Sequence, residues 1–129
     1  MGVTLEGRKE IIDLSRNGGG GNRVSALNIG EGTTDFDPSD TSLEDPLDFE
    51  GGLTTTRDDD KLVIQAEFTD NDGTVEEAGI VSQADTTATS FDSENDTQVV
   101  RQQVPAINVL AEDKIDLTFE LQALNDGTN

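Results

Sequence analysis

Glycines and carboxylates are the residues of this chain whose types and spacing could do chemistry. The segment Gly30-Glu31-Gly32 follows a short apolar run, and paired glycines can cradle a phosphate where they open a helix. The P-loop lysine is missing here, and Asp35 stands where a dinucleotide-binding loop has its third glycine. Glu31, Asp35 and Asp37 would also repel a phosphate. We therefore interpret Gly30 and Gly32 as a turn through backbone conformations that other residues avoid.

Clusters of acids suggest two further kinds of site. The segment Asp70-Asn71-Asp72-Gly73 resembles the start of a calcium loop, but Val75 stands where an EF-hand needs glycine. Asp58-Asp59-Asp60 could collect a hard cation, although such clusters arise by chance among 28 acids. Carboxylate pairs for glycoside hydrolysis usually lie in clefts with aromatic platforms, and the chain has neither Trp nor Tyr. We predict no enzyme and no catalytic, metal-binding or cofactor-binding residues.

Residue types that are missing exclude other classes of function. Without cysteine the chain has no disulfide and no thiolate site, and without histidine it lacks the commonest general base and metal ligand. Its eight bases are scattered and form no positive patch, so we expect no nucleic-acid partner. No secretion signal and no apolar run of about 18 residues is present, so we expect no membrane partner.

The charge balance is extreme, because 28 acids face eight bases and give a net charge of -20. Two interpretations compete. High charge with only 32% hydrophobic residues is typical of disordered chains. The same composition is also typical of a folded protein from a halophile. There, molar salt shortens the Debye length to about 3 Å and screens the repulsion between the acids. We favour the halophilic protein, because the acids are spread along the chain and the apolar residues alternate regularly in several segments.

The N-terminal part predicts a helix and a flexible link. Residues 3–16 place Leu5, Ile11, Ile12 and Leu14 close to one face of a helix that Thr4 can cap. Four glycines at positions 18–21 end this helix and form a flexible link. We therefore divide the chain into a helix and link over 1–21 and a β domain over 22–129.

The remaining chain alternates as half-buried strands do. The clearest case is 61–68, where Leu62, Ile64, Ala66 and Phe68 share one face. About six short strands without intervening helices predict a mainly β fold, an antiparallel, jelly-roll-like β-sandwich. The other predicted elements are strands over 23–29, 73–81, 98–104 (ending at Pro105) and 115–123, polar loops over 35–48 and 85–96, and a hairpin turn at Asp70-Asn71-Asp72-Gly73.

The order of several short motifs resembles a domain found in structural proteins of tailed viruses, often at the N-terminus of tail fibre or tail-collar proteins. That domain has a short helix, a glycine-rich link, a strand running into I-G-x-G-T-T, a loop with P-x-x-x-D-T-x-L, and an E-A-G strand. The matching segments here are Leu5-Glu6-Gly7-Arg8 with Ile11-Ile12, Gly18 to Gly21, Ile29-Gly30-Glu31-Gly32-Thr33-Thr34, Pro38-Ser39-Asp40-Thr41-Ser42-Leu43, Val75-Glu76-Glu77-Ala78-Gly79-Ile80 and Asp116-Leu117-Thr118-Phe119-Glu120-Leu121.

The resemblance implies a role in assembly rather than catalysis. Together with the acidic composition, it suggests a virus that infects a haloarchaeon. The expected protein is a virion component of a halophilic tailed virus, an adaptor in the tail, baseplate or fibre anchor, with other copies of itself and other virion proteins as partners. A capsid decoration or turret subunit is the alternative within this class. The residues that carry over as scaffold positions are Gly30, Gly32, Thr33, Glu77, Ala78 and Gly79, and the helix with Leu5, Ile11, Ile12 and Leu14 is the expected subunit contact.

A rival from another class is a glycan- or S-layer-binding receptor module. Its signature would be an exposed aromatic cluster or a calcium-dependent loop. Phe36, Phe49 and Phe91 fall in predicted loops and could form such a cluster. The sequence leaves this alternative open.

Overall fold

Seven β-strands make up the part of the chain that the computed structural model describes, which is Thr4, residues 23–58 and residues 61–122. No helix occurs among these residues. The predicted N-terminal helix with Leu5, Ile11, Ile12 and Leu14 lies outside them, apart from Thr4. The strands are β1 (Arg23–Gly30), β2 (Pro46–Glu50), β3 (Thr56–Asp58), β4 (Lys61–Phe68), β5 (Gly73–Gln83), β6 (Thr97–Val109) and β7 (Ile115–Gln122).

The strands form two antiparallel sheets. The first has four strands in the order β2-β1-β5-β6, and the second has three strands in the order β3-β4-β7. Every described strand pair is antiparallel. The prediction of a mainly β, antiparallel fold is therefore confirmed for the described residues.

Buried apolar residues from both sheets form one hydrophobic cluster. In β4 the predicted alternation places Ile64, Ala66 and Phe68 in this cluster, and Phe119 of β7 joins them. Burial of Ile64, Phe68 or Phe119 contributes roughly 1.5–3 kcal/mol each, and the single methyl of Ala66 contributes less. The four-stranded sheet contributes Leu27, Ile29, Val75, Ala78, Ile80, Val99, Val100 and Val109.

The central strand β5 is buried on both faces between Glu77 and Gln83. One face supplies Ala78 and Ile80 to the hydrophobic cluster. Polar side chains on this strand bond with two connections, the 31–45 loop between β1 and β2 and the 84–96 loop between β5 and β6. A sheet with one core face and one water-facing side would instead show buried and exposed residues in turn.

The predicted end of β6 at Pro105 is wrong, because the strand continues to Val109. A proline has no N–H to donate, so it usually ends pairing inside a sheet. Here β6 is the last described strand of its sheet, and its register with β5 shifts between Val75 and Glu77, opposite Pro105. An edge position with an irregular register tolerates the proline.

The predicted hairpin at Asp70-Asn71-Asp72-Gly73 is also wrong. This turn joins β4 of the three-stranded sheet to β5 of the four-stranded sheet, and the two strands do not pair with each other. Asp70 has a positive φ of 62°, and the Asn71 side chain donates to Asp48 over 2.7 Å. The same turn residues can serve a hairpin or a crossing between sheets, so local sequence does not distinguish the two.

Two strands were not predicted from the sequence. Part of β2 falls within the segment 35–48, which was predicted as a loop, and Phe49 consequently lies in a strand rather than a loop. β3 has only three residues. Both pair as edge strands, where short length and polar residues are common.

Candidate functional site

The 31–45 loop contacts a buried pair of charges that lie inside β5 and β6. Glu77 of β5 is 0% exposed and Arg101 of β6 is 2% exposed. The Arg101 Nε donates to the Glu77 Oε1 over 2.9 Å. A buried charge is stable only when hydrogen bonds or opposite charges offset its loss of hydration. The hydrogen-bond partners of this pair therefore show which segment it fixes.

The carboxylate of Glu77 accepts hydrogen bonds from three backbone N–H groups of the loop. Gly32 donates to Oε2 over 2.9 Å, Glu44 to Oε1 over 2.9 Å, and Asp45 to Oε2 over 2.8 Å. These donors come from both ends of the loop, so one side chain fixes where the loop begins and where it ends. The backbone around Gly30 and Gly32 does bind an anion, and that anion is the chain's own Glu77.

Arg101 holds the middle of the same loop. Its Nη2 donates to the Thr34 carbonyl over 2.7 Å, and its Nη1 donates to the Asp35 carbonyl over 3.3 Å. Nη1 also bonds to the Asp40 carboxylate over 3.0 Å. The planar guanidinium presents donors in several fixed directions, which lets one side chain bind three loop residues and Glu77 together.

The protonation equilibria follow from these contacts. Burial by itself raises the pKa of Glu77, but the N–H groups of Asp45 and Glu44, the Arg101 guanidinium and the Gly32 N–H together lower it below its ordinary value of 4.5. Burial lowers the pKa of Arg101, but the hydrogen bonds and charges of Glu77 and Asp40 together raise it more, so the net shift is upward. Both groups are therefore charged at neutral pH.

Local hydrogen bonds shape the rest of the loop. Asp37 accepts from the backbone N–H and the hydroxyl of Ser39, over 2.8 and 2.7 Å, and these bonds lower its pKa. Asp40 in turn accepts from the Asp37 N–H over 3.0 Å. The Thr34 hydroxyl bonds to Glu44 and lowers the pKa of that carboxyl. The loop is thus organised by short polar contacts, with Leu43 as its buried apolar residue.

The interpretation of Gly30 and Gly32 as a turn through unusual conformations is wrong, because neither has a positive φ and Gly52 is the described glycine that does. The requirement for glycine comes instead from the lack of room for a side chain at these two positions. A Cβ on Gly30 or on Gly32 would lie 2.5 Å from the Glu77 Oε2. Both positions are limited by the close approach of Glu77 to the backbone.

The other predicted scaffold positions have distinct surroundings. Ala78 is buried in the core, and Thr33 is exposed in the loop. A Cβ on Gly79 would overlap the side-chain amide of Gln98 and the Val100 carbonyl. Gln98 is held there by reciprocal amide hydrogen bonds with Asn28, of 3.0 and 3.1 Å. Because Gly79 has no side chain, the buried amide pair of Asn28 and Gln98 can lie directly against its backbone.

Two concave regions adjoin the 31–45 loop. One, of about 350 Å³, is lined by Arg101, Leu43 and polar residues of the loop. The other, which we call the aromatic groove, has about 440 Å³. Phe49 and Phe91 both line it, whereas Phe36 does not. Its lining is Asn28, Ser42, Leu43, Pro46, Leu47, Asp48, Phe49, Thr89, Ser90, Phe91 and Gln98.

The 84–96 loop has its own carboxylate anchor. Asp96 accepts from the Ala84 N–H and from the Asp92 N–H, each over 2.9 Å. Gln83 adds bonds to the carbonyls of Asp85 and Ala88. The position of Phe91 at the aromatic groove depends on these contacts, because Phe91 lies inside the loop that they hold.

Sequence reasoning chose Glu77 as a scaffold position but missed its role, and it missed Arg101. Arg101 is one of only eight bases, but Gln98, Gln102 and Gln103 stand close to it in β6, so the local pattern does not mark it as buried. Among Thr4, 23–58 and 61–122 there is no group of three or more acidic side chains arranged for a metal ion. The cluster Asp58-Asp59-Asp60 lies partly outside these residues.

No helix in the described part of the chain is long and apolar enough to span a membrane. No known protein family matches the chain. No curated protein matches it either.

Proposed function

We propose that this protein is a non-enzymatic virion component of a halophilic tailed virus, acting as an assembly module in the tail, baseplate or fibre anchor. Its partners would be other copies of the chain and neighbouring virion proteins, and its place would be the assembled virion. The two sheets, which share one core, would form a sandwich of the kind that such modules use.

The convergence of the resemblance motifs at Glu77 is the observation that supports this proposal. Two of those motifs, the I-G-x-G-T-T segment and the segment from Pro38 to Leu43, are neighbours in sequence, whereas the third, the E-A-G strand, lies much further along the chain. In the structure Gly32 from the first and Asp40 from the second are joined to Glu77 of the third, directly or through Arg101. The motifs thus act as one structural unit, which favours a real relationship over chance similarity.

The polar groups of this unit also favour a structural role. Among the described residues, no buried side-chain nitrogen or oxygen lacks a hydrogen-bond partner. A catalytic site usually keeps at least one acid or base aimed at a space where substrate can bind. Glu77 and Arg101 instead direct their hydrogen bonds to each other and to the 31–45 loop, and Arg101 also lines the smaller concave region.

The test is to locate the protein on virions. Virions would be purified from infected haloarchaeal cells in molar salt and labelled with an antibody raised against the chain. We expect label at the tail or its attachment to the head. Label over the whole shell would favour the capsid decoration or turret alternative, and absence of the protein from virions would refute a virion role.

The aromatic groove favours a second candidate, a glycan- or S-layer-binding module. Two of the five phenylalanines of the chain, Phe49 and Phe91, meet at this groove. Hydroxyls of Ser42, Thr89 and Ser90 lie beside them. Apolar rings next to hydrogen-bonding groups are the usual lining of a small-ligand site.

A glycan array probed with and without calcium would test this candidate. Binding to a defined glycan that is lost in Phe91→Ala would support it. Phe36→Ala is the matched control, because Phe36 lies in a loop outside the groove. Absence of binding to any glycan, or equal loss in both variants, would argue against it.

A further inference from the structure

The longest uncharged run of the chain lies on an edge strand. Residues 102–111, with the sequence QQVPAINVLA, carry no charge, although 28% of all residues are charged. Ten residues at that frequency would carry about three charges. Eight of the ten lie in β6, the last strand of the four-stranded sheet in the described part of the chain.

This run is also exposed, unlike the other long uncharged strand segments. Residues 24–30 of β1 and 78–83 of β5 are uncharged because they lie inside the sheet and are almost entirely buried. In β6 the consecutive residues Pro105, Ala106, Ile107 and Asn108 are all exposed. Consecutive residues of a strand point to opposite faces, so neither face is covered there by the described residues.

Both large hydrophobic side chains that stand exposed on the described surface lie in this run. They are Ile107, which is 47% exposed, and Leu110, which is 56% exposed. The outer edge of β6 is occupied near its start, where the Thr4 N–H donates to the Val99 carbonyl over 2.9 Å. From Gln102 onward no described strand lies alongside that edge.

We propose that this edge is the self-association surface of the protein, and that β6 pairs with β6 of a second copy in antiparallel orientation about a two-fold axis near Ile107. The inference rests on the proposed function in expecting copies of the chain to meet in an assembly. It deepens that function by naming the strand through which they meet.

Charge is the reason to choose a second copy as the partner. Two molecules that each carry a net charge of -20 repel each other wherever their acidic surfaces face. The 102–111 run is where two copies can approach most closely without placing carboxylates in contact. A symmetric pairing is self-complementary, because the same uncharged segment is presented by both copies.

Charge also selects the antiparallel orientation. Glu112 and Asp113 follow the uncharged run directly. Parallel pairing would place these acids of two copies side by side. Antiparallel pairing places them at opposite ends of the shared ribbon, separated by roughly 30 Å at about 3.4 Å per residue.

The first experiment measures the mass of the protein in molar KCl by sedimentation velocity over a range of concentrations. We expect a dimer of twice the 13.8 kDa chain mass. Ile107→Glu should weaken the dimer at least about tenfold, because each copy would lose an apolar contact and bury a charge. Thr118→Glu, which adds the same charge at an exposed position of β7, should leave the dimer unchanged.

The second experiment uses the absence of cysteine from the chain. Ile107→Cys should give a disulfide-linked dimer on mild oxidation, since two thiols close to a two-fold axis meet each other. Thr118→Cys is the matched control and should stay unlinked. Ile107 is partly exposed, so its replacement should leave the fold intact, and circular dichroism would verify this.

The outcomes separate this inference from the proposed function. A chain that remains monomeric at all concentrations overturns the inference, as does a dimer that Ile107→Glu does not weaken and Ile107→Cys does not link. Linkage of the Ile107→Cys variant to a different protein in purified virions, with a monomer in isolation, also overturns it while leaving the virion role standing. A β6-linked dimer of a protein that is missing from virions would refute the proposed function alone.

Discussion

At the scale of single residues, the Glu77–Arg101 pair is the centre of the candidate site. The two side chains together bond to Gly32, Thr34, Asp35, Asp40, Glu44 and Asp45 of one loop. A buried ion pair adds little net stability relative to an apolar pair of the same shape, but removing one partner strands the other charge. The pair therefore specifies a loop conformation more than it adds stability.

Glu77→Gln should lower the free energy of unfolding by about 3–5 kcal/mol, because Arg101 would keep a buried charge with a weakened partner. Urea unfolding in molar KCl, followed by circular dichroism, measures this change. The matched control is Glu76→Gln on the same strand, which is partly exposed and should change the free energy by less than about 0.5 kcal/mol. Equal effects of the two substitutions would show that burial of Glu77 is not energetically important.

How much of this site could be foreseen from the sequence depends on the kind of information each residue carries. Gly30, Gly32 and Gly79 could be chosen because they match the motifs of the resemblance, and because a residue without a Cβ permits a neighbour to approach closely. The partners of those glycines could not be chosen, since Glu77 lies 45 residues from Gly32 and only the sheet register brings them together. Arg101 was missed because nothing in the local pattern of β6 tells a buried base from an exposed one.

At the scale of elements, a buried carboxylate anchors each of two loops. Glu77 holds the 31–45 loop and Asp96 holds the 84–96 loop, each by accepting backbone N–H groups. Such bonds are strongest when the acceptor is ionised. The pKa of Glu77 is lowered, so the order of the 31–45 loop should depend on pH.

Acid should loosen the 31–45 loop before it unfolds the sheets. The folded protein lowers the pKa of Glu77 below 4.5, so its ionised form adds stability above pH 4.5 and that stability is lost as pH falls through the lowered value. Asp37 and Glu44 shift in the same direction and add to the effect. Hydrogen exchange in molar KCl should show reduced protection of the Gly32 and Asp45 amides below that pH.

The amides paired between β4 and β7 serve as the internal control for this experiment, because no buried carboxylate holds them. They should remain protected while the loop amides lose protection. Glu77→Gln should show low loop protection already at neutral pH. Loop protection that is unchanged between neutral and acidic pH would contradict the role of the ionised carboxylate.

The strands differed in how well their sequence predicted them, for a physical reason. In β4 and β7 one face is buried and the other is exposed, so alternation is visible in the sequence. β5 is buried on both faces, and its polar residues Glu77, Ser82 and Gln83 lie inside. Its presence was predicted, whereas its two-sided burial and its separation from β4 were not, because both follow from contacts with distant segments.

At the scale of the whole molecule, a net charge of -20 acts on a small hydrophobic core. The repulsion is spread over the entire surface, so no single substitution would relieve it. Salt can, since molar ionic strength reduces its range to about 3 Å. We therefore expect the folded state to depend on salt concentration.

Transfer from molar KCl to about 0.1 M salt should unfold the protein, because the Debye length grows to about 10 Å and the acids again repel one another. Far-ultraviolet circular dichroism should show loss of the β signal, and return to molar salt should restore it. An uncharged osmolyte at equal osmolality is the control and should rescue less. A spectrum unchanged at low salt would argue against a halophilic protein.

The crossing between β4 and β5 also bears on how the chain folds during synthesis. β4 finds its partner β7 only after β5 and β6 have left the ribosome. Until then Ile64 and Phe68 have no paired strand beside them, because β3 pairs only with the start of β4, and their apolar side chains stay open to aggregation. A nascent chain would therefore need a chaperone most in the interval after β4 is synthesised and before β7 can pair with it.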